Sequence, residues 1–224
     1  MSQENLKDPV FIEEQTHLSE TFDKLKNLGK KLASDIQKTQ AEAAETKQAM
    51  SEELAVNFAS YADAMETYAD FSAMNRIIDS YNIAQDANTE NLKKVNILLK
   101  QPYFAKISLQ FKPGEAPKDL YIGNAGISDE NYRRLVVDWR SPVAEVYYNQ
   151  NNGQTSYEAN GRTISVDLKL RRQFDLAFNT LNAYFDTTVA IQDSLLIASL
   201  SKQRTSQMQA ITATIQKEQN EVVR

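Results

Sequence analysis

The stretch from Lys30 to Gln101 contains neither glycine nor proline, the two residues that most readily interrupt a helix. Within it, and in the residues before it, apolar side chains recur in steps of four and three. Steps that average about 3.5 residues place a narrow apolar seam on one face of a helix, and such a seam is buried only against a partner helix. The seam positions are Phe11, Leu18, Phe22, Leu25, Leu32, Ile36, Ala43 and Met50, followed by Met74, Ile77, Tyr81, Ala84, Asn88, Asn91, Val95 and Leu98.

A single helix over this whole stretch would be about 130 Å long, which is too long for a chain of 224 residues. The pattern therefore predicts an antiparallel helical hairpin, a coiled coil with limbs of roughly 60 Å. Small or polar residues such as Thr39, Ala43 and Thr46 replace the large aliphatic side chains toward the middle of the stretch. We expect the turn within Met50–Phe71 and a thin, loosely packed far end.

The region around this turn is acidic and contains no lysine or arginine. Its candidate partner-binding residues are Glu52, Glu53, Asp63 and Glu66. Two carboxylates that lie close together can hold a divalent cation or face a basic wall. Acidic residues in exposed helical turns also serve simply to keep a surface solvated, and the sequence leaves both interpretations open.

After Pro102 the apolar period changes from about 3.5 to 2, which is typical of half-buried strands. Strands are predicted over 104–111, 120–122, 134–148 with an interruption at Pro142, 154–158 and 163–170, with turns at Asn151–Gly153 and Asn160–Gly161. From Phe174 onward the pattern predicts helices again. The sequence thus predicts an α+β fold, in which a long antiparallel helical hairpin is followed by a small antiparallel β-sheet of about five strands and then a helical segment.

Charge and composition limit the classes of function that the chain can have. Residues 1–99 carry 17 acidic and 10 basic side chains, whereas residues 100–172 carry 11 basic and 8 acidic ones. An acidic hairpin argues against binding along nucleic acid but suits a basic channel, and it suits a solvated surface equally well. The chain has no cysteine, its first residues are polar without the apolar core of a signal sequence, and no apolar stretch approaches the ~20 residues of a membrane span. We expect a cytoplasmic protein that does not bind membranes.

Residues for conventional catalysis are scarce. His17, the single histidine, is expected to face solvent, and one histidine without cysteine excludes Cys–His pairs and histidine-rich metal sites. Neither G-x-x-x-x-G-K-[ST] nor G-x-G-x-x-G occurs. The sequence therefore predicts no catalytic residue and no metal site, and these residues alone do not make a complete enzyme.

Several segments follow one another in a specific order after the helical region. They are Pro102–Phe104, YIGNAG (Tyr121–Gly126), VDWRSPVAEVYYN (Val137–Asn149), SYEA (Ser156–Ala159), LKLRRQF (Leu168–Phe174) and IQKEQNEVVR (Ile215–Arg224). In this order behind a coiled coil, they resemble the HelD family, the superfamily-1, helicase-like ATPases that associate with bacterial RNA polymerase in Gram-positive organisms. The DWRSP block and the final Q-x-E-Q run are the specific parts, and the resemblance covers essentially the whole chain.

This resemblance implies an N-terminal fragment of a longer DNA helicase-like ATP hydrolase, in which the phosphate-binding loop of a P-loop motor domain would follow Arg224. Residues 1–101 would form the coiled-coil arm, 102–174 the β-rich part of the first motor domain, and 175–224 its helical part. Gln219 would match the Q-motif glutamine that binds adenine, since an amide offers one donor and one acceptor. ATP and Mg²⁺ would serve the full-length protein, and the fragment would hold neither and would not hydrolyse ATP.

For partners, the resemblance implies that the arm enters the secondary channel of bacterial RNA polymerase and helps release or recycle stalled polymerase during transcription. Nucleic acid would be bound through the full-length motor. Trp139 and Arg140 of the DWRSP block either contact a partner or form a packing and ion-pair cluster within the sheet. Arg171 and Arg172 are candidate phosphate or partner contacts.

A different class of function also fits the pattern. The chain could be a coiled-coil adaptor that self-associates through the Phe11–Leu98 seam and has no role at polymerase. The polar seam residues Asn88 and Asn91 would then set the register between chains. An intramolecular hairpin predicts a monomer, whereas the adaptor predicts an oligomer.

Overall fold

A computed structural model of the chain describes residues 8–53, 61–148 and 152–187. The fold is α+β, as the sequence predicts. The elements in chain order are α1 (Pro9–Glu53), α2 (Tyr61–Leu98), β1 (Ala105–Gln110), β2 (Lys118–Gly123), β3 (Ile127–Ser128), β4 (Arg134–Asp138), a 3-10 turn (Pro142–Ala144), α3 (Glu145–Tyr148), β5 (Gly153–Ala159), β6 (Arg162–Ala177) and β7 (Thr180–Asp186).

The first helix begins where Asp8 precedes Pro9. The Asp8 carboxylate accepts a hydrogen bond of 2.9 Å from the amide of Val10, and the carbonyl of Asp8 accepts one from the amide of Ile12. An aspartate at the N-cap satisfies amides that have no partner within the helix, and proline is well tolerated in the first turn. The helix then runs for 45 residues and α2 for 38. The predicted turn falls on residues 54–60, which lie outside the described part of the chain.

The predicted seam is buried only in part, since the large side chains of Phe22 and Ile36 are half-buried. Phe11, Leu18, Leu25 and Leu32 on α1 are buried, as are Val95 and Leu98 on α2. Farther along α2 the prediction is partly wrong, because Ile77 and Ala84 are exposed and Ile78 and Gln85 are half-buried in their place. Residues seven apart, Met74, Tyr81, Asn88 and Val95, do stay on the inner face. Seven residues make two helical turns, so positions seven apart lie on the same face. Whether the second inner position of each repeat follows after three or after four residues depends on the partner helix.

The chain divides into two compact units. The helical unit comprises Asn27–Val95, and the sheet unit comprises the residues up to Lys26 and from Asn96 onward. In the helical unit the two helices approach closely at Gly29, where an added Cβ atom would lie 3.1 Å from the Cγ1 atom of Val95. Glycine therefore permits this close approach of the two helices.

The sheet follows the order β3-β4-β2-β1-β6-β5, and β7 pairs with the second half of β6. All neighbours are antiparallel except β2 and β4, which are parallel. At the end of β2, a Cβ atom on Gly123 would lie 2.7 Å from both the Pro102 carbonyl oxygen and the Val136 side chain. Only glycine fits this position.

Several sequence predictions for this unit are confirmed and others are wrong. Strands appear as predicted over β1, β2 and β5, and the Asn160–Gly161 turn has both φ angles positive, as a tight hairpin turn requires. The described residues hold seven strands rather than about five, and the sheet is mixed rather than antiparallel. Residues 142–148 form helical turns instead of a strand, because proline at the first position favours a turn there.

The predicted helix after Phe174 is wrong as far as Asp186. Residues Phe174–Ala177 complete the long strand β6, and Thr180–Asp186 form β7. Pairing with β1 and β7 accounts for the difference, since tertiary pairing overrides local propensity. Residues 188–224 lie outside the described part of the chain.

Both faces of the central strands are buried. One face packs against the helical turns, in a core that contains Ile107, Leu109, Ile122, Val137, Ala144, Val146, Tyr147, Val166 and Leu168. The other face carries Tyr103, Lys106, Tyr121, Arg172 and Phe174 and contacts the first turns of α1. In the described residues, no helix is long and apolar enough to cross a membrane.

Candidate functional site

The sheet unit holds a buried charged cluster around Glu14. This α1 residue is 1% exposed and lies one turn after Phe11 on the buried face of the helix. Its Oε1 atom is 3.0 Å from Lys106 Nζ and 2.7 Å from Arg172 Nη1, and its Oε2 atom accepts a hydrogen bond of 3.0 Å from the Tyr121 hydroxyl. A buried carboxylate is tolerated when it is paired and hydrogen-bonded in this way.

Two further carboxylates complete the cluster at its edges. Asp119 lies 2.8 Å from Lys106 Nζ and also accepts a hydrogen bond from the Ser108 hydroxyl. Burial favours the neutral amine of Lys106, but the bonds to Asp119 and Glu14 outweigh burial and raise its pKa. Asp186 binds the Arg172 guanidinium through two bonds, of 2.6 and 2.8 Å, and this pairing raises the pKa of Arg172.

The same contacts correct a prediction from the sequence. Arg172 is buried in ion pairs with Glu14 and Asp186, and the Tyr184 ring lies 4.7 Å from its guanidinium carbon. Arg171 is also buried, and its Nη2 atom donates to the Val146 carbonyl at 3.4 Å. Neither arginine is available to a phosphate or a partner, because the strand they occupy has both faces covered.

An aromatic group adjoins the charged cluster. The His17 imidazole stacks on Tyr121 with ring centroids 3.8 Å apart, and its Nδ1 atom is 3.3 Å from the Tyr103 hydroxyl. The prediction that His17 faces solvent is therefore wrong, because the ring is half-buried against the sheet. Burial lowers the pKa of His17 and raises the pKa values of Tyr103 and Tyr121, so all three side chains are neutral near neutral pH.

A cleft of about 640 Å³ opens beside this aromatic group. One wall is the exposed side of α1, with Glu13, Glu20 and Lys24, and the facing wall comes from β2 and the β3–β4 turn, with Arg133 and Arg134. His17 and Tyr121 also line it. The cleft is lined by charges of both signs, with Glu13 and Glu20 on the α1 wall and Arg133 and Arg134 on the facing wall, which suits a bound protein segment better than an apolar ligand.

The residues predicted to bind partners lie in different places. Glu52 and Glu53 are in the last turn of α1, and Asp63 and Glu66 are in the first two turns of α2. They belong to the helical unit, on either side of the connection between the helices. Gln219, the predicted adenine-binding residue, lies outside the described residues.

The Asp138–Arg140 block forms a local turn. Arg140 binds the Asp138 carboxylate through Nε at 2.9 Å and Nη2 at 2.7 Å, and its amide donates to the same carboxylate. Burial alone would raise the pKa of Asp138, but its bonds to Arg140 outweigh burial and lower that pKa. Trp139 is partly buried and packs against the sheet core. These contacts favour the interpretation of a packing and ion-pair cluster, while a partner contact through the exposed Arg140 stays a prediction.

The described residues offer few ligands for a bound metal ion. Among the described residues, no group of three histidine or acidic side chains is arranged to hold a metal. The carboxylates of the buried cluster are already engaged by lysine, arginine, serine and tyrosine. The residues that are described therefore do not fit a magnesium site, and we derive no reaction step through one.

Sequence reasoning missed Glu14, Lys106 and the β3–β4 turn. Glu14 did carry a signal, since it lies three residues after Phe11 and four before Leu18, at a position of the seam. A charged residue at a seam position indicates a buried partner of opposite charge. The partners Lys106 and Arg172 gave no comparable signal, because alternation on a strand marks a residue as facing one side without showing that this side is also covered.

The sequence of the chain matches a known protein family. Residues 11–206 match the family model described as DNA helicase IV HelD, N-terminal domain. No curated protein matches the chain. Because the family model covers most of the chain, including both units, the chain belongs to the family of the HelD N-terminal domain.

Proposed function

We propose that the chain is the N-terminal part of a HelD-like ATPase that binds bacterial RNA polymerase. In this proposal the helical unit enters the secondary channel of the polymerase and helps to release or recycle stalled enzyme. Family membership supports a helicase-like, nucleic-acid-related protein. The polymerase role comes from the resemblance of the sequence and from the form of the helical unit.

One observation carries the proposal. Between Leu32 and Val95, none of the side chains whose burial is described is fully buried. Within the helical unit, α1 extends about 40 Å and α2 about 50 Å at 1.5 Å per residue. Over its described residues a unit of this length buries few side chains, so its surface and its reach are what it offers a partner.

The chemistry of the unit is compatible with a basic channel. The residues around the turn carry carboxylates and no cation. Met65, Tyr68 and Phe71 near the start of α2 are exposed apolar side chains. An acidic, partly apolar end suits insertion between protein walls better than contact with phosphate groups, because phosphates repel carboxylates.

The main experiment shortens the helical unit. Residues 49–69 are replaced by a short glycine linker, which removes the connection and the adjoining turns while leaving Gly29, Leu32 and Val95 in place. We expect release of stalled elongation complexes by the protein to be abolished, because reach is lost. The fluorescence of Trp139, which lies in the sheet unit, should be unchanged. Full release activity in the shortened variant would contradict the proposal.

A second experiment separates two mechanisms within the proposal. A steric plug requires the volume of the helical unit, whereas competition for the polymerase metal requires carboxylates. We favour the plug. Asp63→Asn together with Glu66→Gln should then weaken release less than about tenfold, or about 1.4 kcal/mol. If the double variant binds polymerase normally but no longer releases or recycles it, the carboxylates act directly and the plug is wrong.

In this proposal ATP is bound by the longer protein, of which the chain is the N-terminal part. The amide of Gln219 would bind adenine, and ATP with Mg²⁺ would supply phosphoryl transfer to water when bound to a complete motor domain. These 224 residues contain no phosphate-loop motif. We therefore expect no ATP turnover from them and at most weak nucleotide binding, since a single amide contributes about 1–3 kcal/mol. Measurable turnover in a preparation free of other ATPases would contradict this expectation.

A further inference from the structure

The turn that joins β3 and β4 is held in one conformation by Asp129. Its carboxylate accepts hydrogen bonds from the amides of Asn131, at 2.9 Å, and Arg133, at 2.8 Å. Its own amide donates to the Arg133 carbonyl, and its carbonyl accepts from the amide of Tyr132. Four bonds across five residues fix the backbone of this turn.

Tyr132 lies at the tip of this turn and is 93% exposed. Its φ angle is 58°, in the left-handed region that costs a residue with a side chain about 1–2 kcal/mol. No packing of the ring compensates for that cost. A large aromatic side chain exposed at the tip of a well-defined turn is typical of residues that become buried in an interface, where tyrosine is enriched.

The next two residues continue the exposed surface. Arg133 and Arg134 line the cleft, together with Lys24 of α1. All three are exposed, and no salt bridge joins any of them to another described residue. Of the cleft carboxylates, Asp119 is bound to Lys106 and Asp129 to the turn amides, which leaves Glu13 and Glu20 on the α1 wall.

We propose that Tyr132, Arg133, Arg134 and the adjoining cleft form a docking surface for an acidic protein segment. The ring of Tyr132 would pack on an apolar side chain of that segment, and the two arginines would pair with its carboxylates. Arginine suits this role because its planar guanidinium forms paired bonds with a carboxylate. The surface belongs to the sheet unit, so it is separate from the helical unit on which the proposed function rests.

The charges of the cleft favour protein over nucleic acid. A nucleic-acid strand carries a phosphate at every nucleotide, and a strand along the cleft would place some phosphates beside Glu13 and Glu20. A peptide can turn its carboxylates toward Arg133 and Arg134 and present neutral groups to the α1 wall. The two walls therefore predict opposite mutational effects on the same ligand.

The test uses the whole chain and defined probes. The probes are a fluorescein-labelled peptide in which glutamates flank a pair of leucines, the same peptide with glutamine for glutamate, and a labelled oligothymidylate. Binding is followed by fluorescence anisotropy. The variants are Tyr132→Asn, which tolerates the left-handed backbone, and the single changes Arg133→Gln and Arg134→Gln. Arg162→Gln is the matched control, since Arg162 is exposed and lies where β5 pairs with β6, at the opposite edge of the sheet.

We expect the acidic peptide to bind with saturation below about 1 mM and at least about tenfold more tightly than the glutamine peptide. Each arginine change and Tyr132→Asn should weaken binding by at least about threefold, and Arg162→Gln by less than about twofold. Glu13→Gln with Glu20→Gln should strengthen it, because two repelling charges are removed. Absence of saturable binding, equal binding of the glutamine peptide, an equal effect of Arg162→Gln or tighter binding of oligothymidylate would each overturn the proposal.

Discussion

The helical unit and the sheet unit are stabilised by different means. In the sheet unit the central strands are buried on both faces, and two carboxylates, a lysine and two arginines are buried with them. In the helical unit the described side chains are fully buried only near Gly29, Leu32 and Val95. Backbone hydrogen bonds within each helix define the helical unit, whereas contacts distant in sequence define the sheet unit. Substitutions in the sheet unit should therefore cost far more stability.

The largest effect is expected at Glu14. Replacing it with alanine leaves Lys106 and Arg172 close together without the carboxylate between them, and breaking a buried ion pair costs about 3–5 kcal/mol. The exposed neighbour Glu13 is the matched control, and Glu13→Ala should change stability by less than about 0.5 kcal/mol. Urea unfolding followed by Trp139 fluorescence measures both. Equal midpoints for the two variants would contradict a buried cluster.

Substitution of one apolar residue in each unit tests the same comparison. Leu25 is fully buried in the sheet unit, and Leu25→Ala should cost about 2–5 kcal/mol. Ile83 in the helical unit is 71% exposed, so Ile83→Ala should change the free energy of unfolding by less than about 0.5 kcal/mol. Far-UV circular dichroism in urea reports on both. A large loss from Ile83→Ala would show that this face of α2 is covered in solution.

Self-association is the most direct way in which that face could be covered. Met65 and Ile83 are both exposed and lie five helical turns apart on one face of α2. The hairpin predicts a monomer by multi-angle light scattering, with the same mass after Ile83→Lys. A chain that instead pairs through this face predicts a dimer that the lysine dissociates. A wild-type dimer with a monomeric Ile83→Lys variant would show self-association through a face other than the Phe11–Leu98 seam and would contradict the monomer that the hairpin predicts.

The sequence predicts the helices better than the strands, for a physical reason. The seam of Leu18, Leu25 and Leu32 repeats at a fixed spacing, because a helix buries one face along its whole length. The end of β6 has no such regularity. Its residues Arg171–Asp175 are all buried, polar and apolar alike, because β1, β7 and α1 surround them. Only long-range contacts could identify that segment as a strand.

The residues of the candidate site also differ in how well the sequence predicts them. Trp139 and Arg140 were found from a motif, and their turn is local in sequence. The cluster around Glu14 joins residues about 90 and 160 positions apart, so no local pattern brings them together. Tyr132 was missed because its importance lies in its exposure, and neighbouring residues of similar polarity do not reveal which side chain a turn holds in solvent.

The smallest expected effect is the pH dependence from His17. Burial lowers its pKa in the folded protein, the Glu14 charge opposes that change and the Lys106 charge reinforces it, while Glu20 and Lys24 act from the exposed side of α1. The unfolded chain therefore binds a proton first as the pH falls below the ordinary histidine pKa of about 6.5. Stability contributed by neutral His17 is present above that pH and is lost as the pH falls toward the lowered pKa. In His17→Asn this loss should disappear, so the stability of the wild type relative to the variant should fall between about pH 7.5 and 5. Urea midpoints at several pH values measure the difference. A wild type that gains stability relative to His17→Asn as the pH falls would show that the ring binds its proton more tightly in the folded protein, and that Glu14 rather than burial controls it.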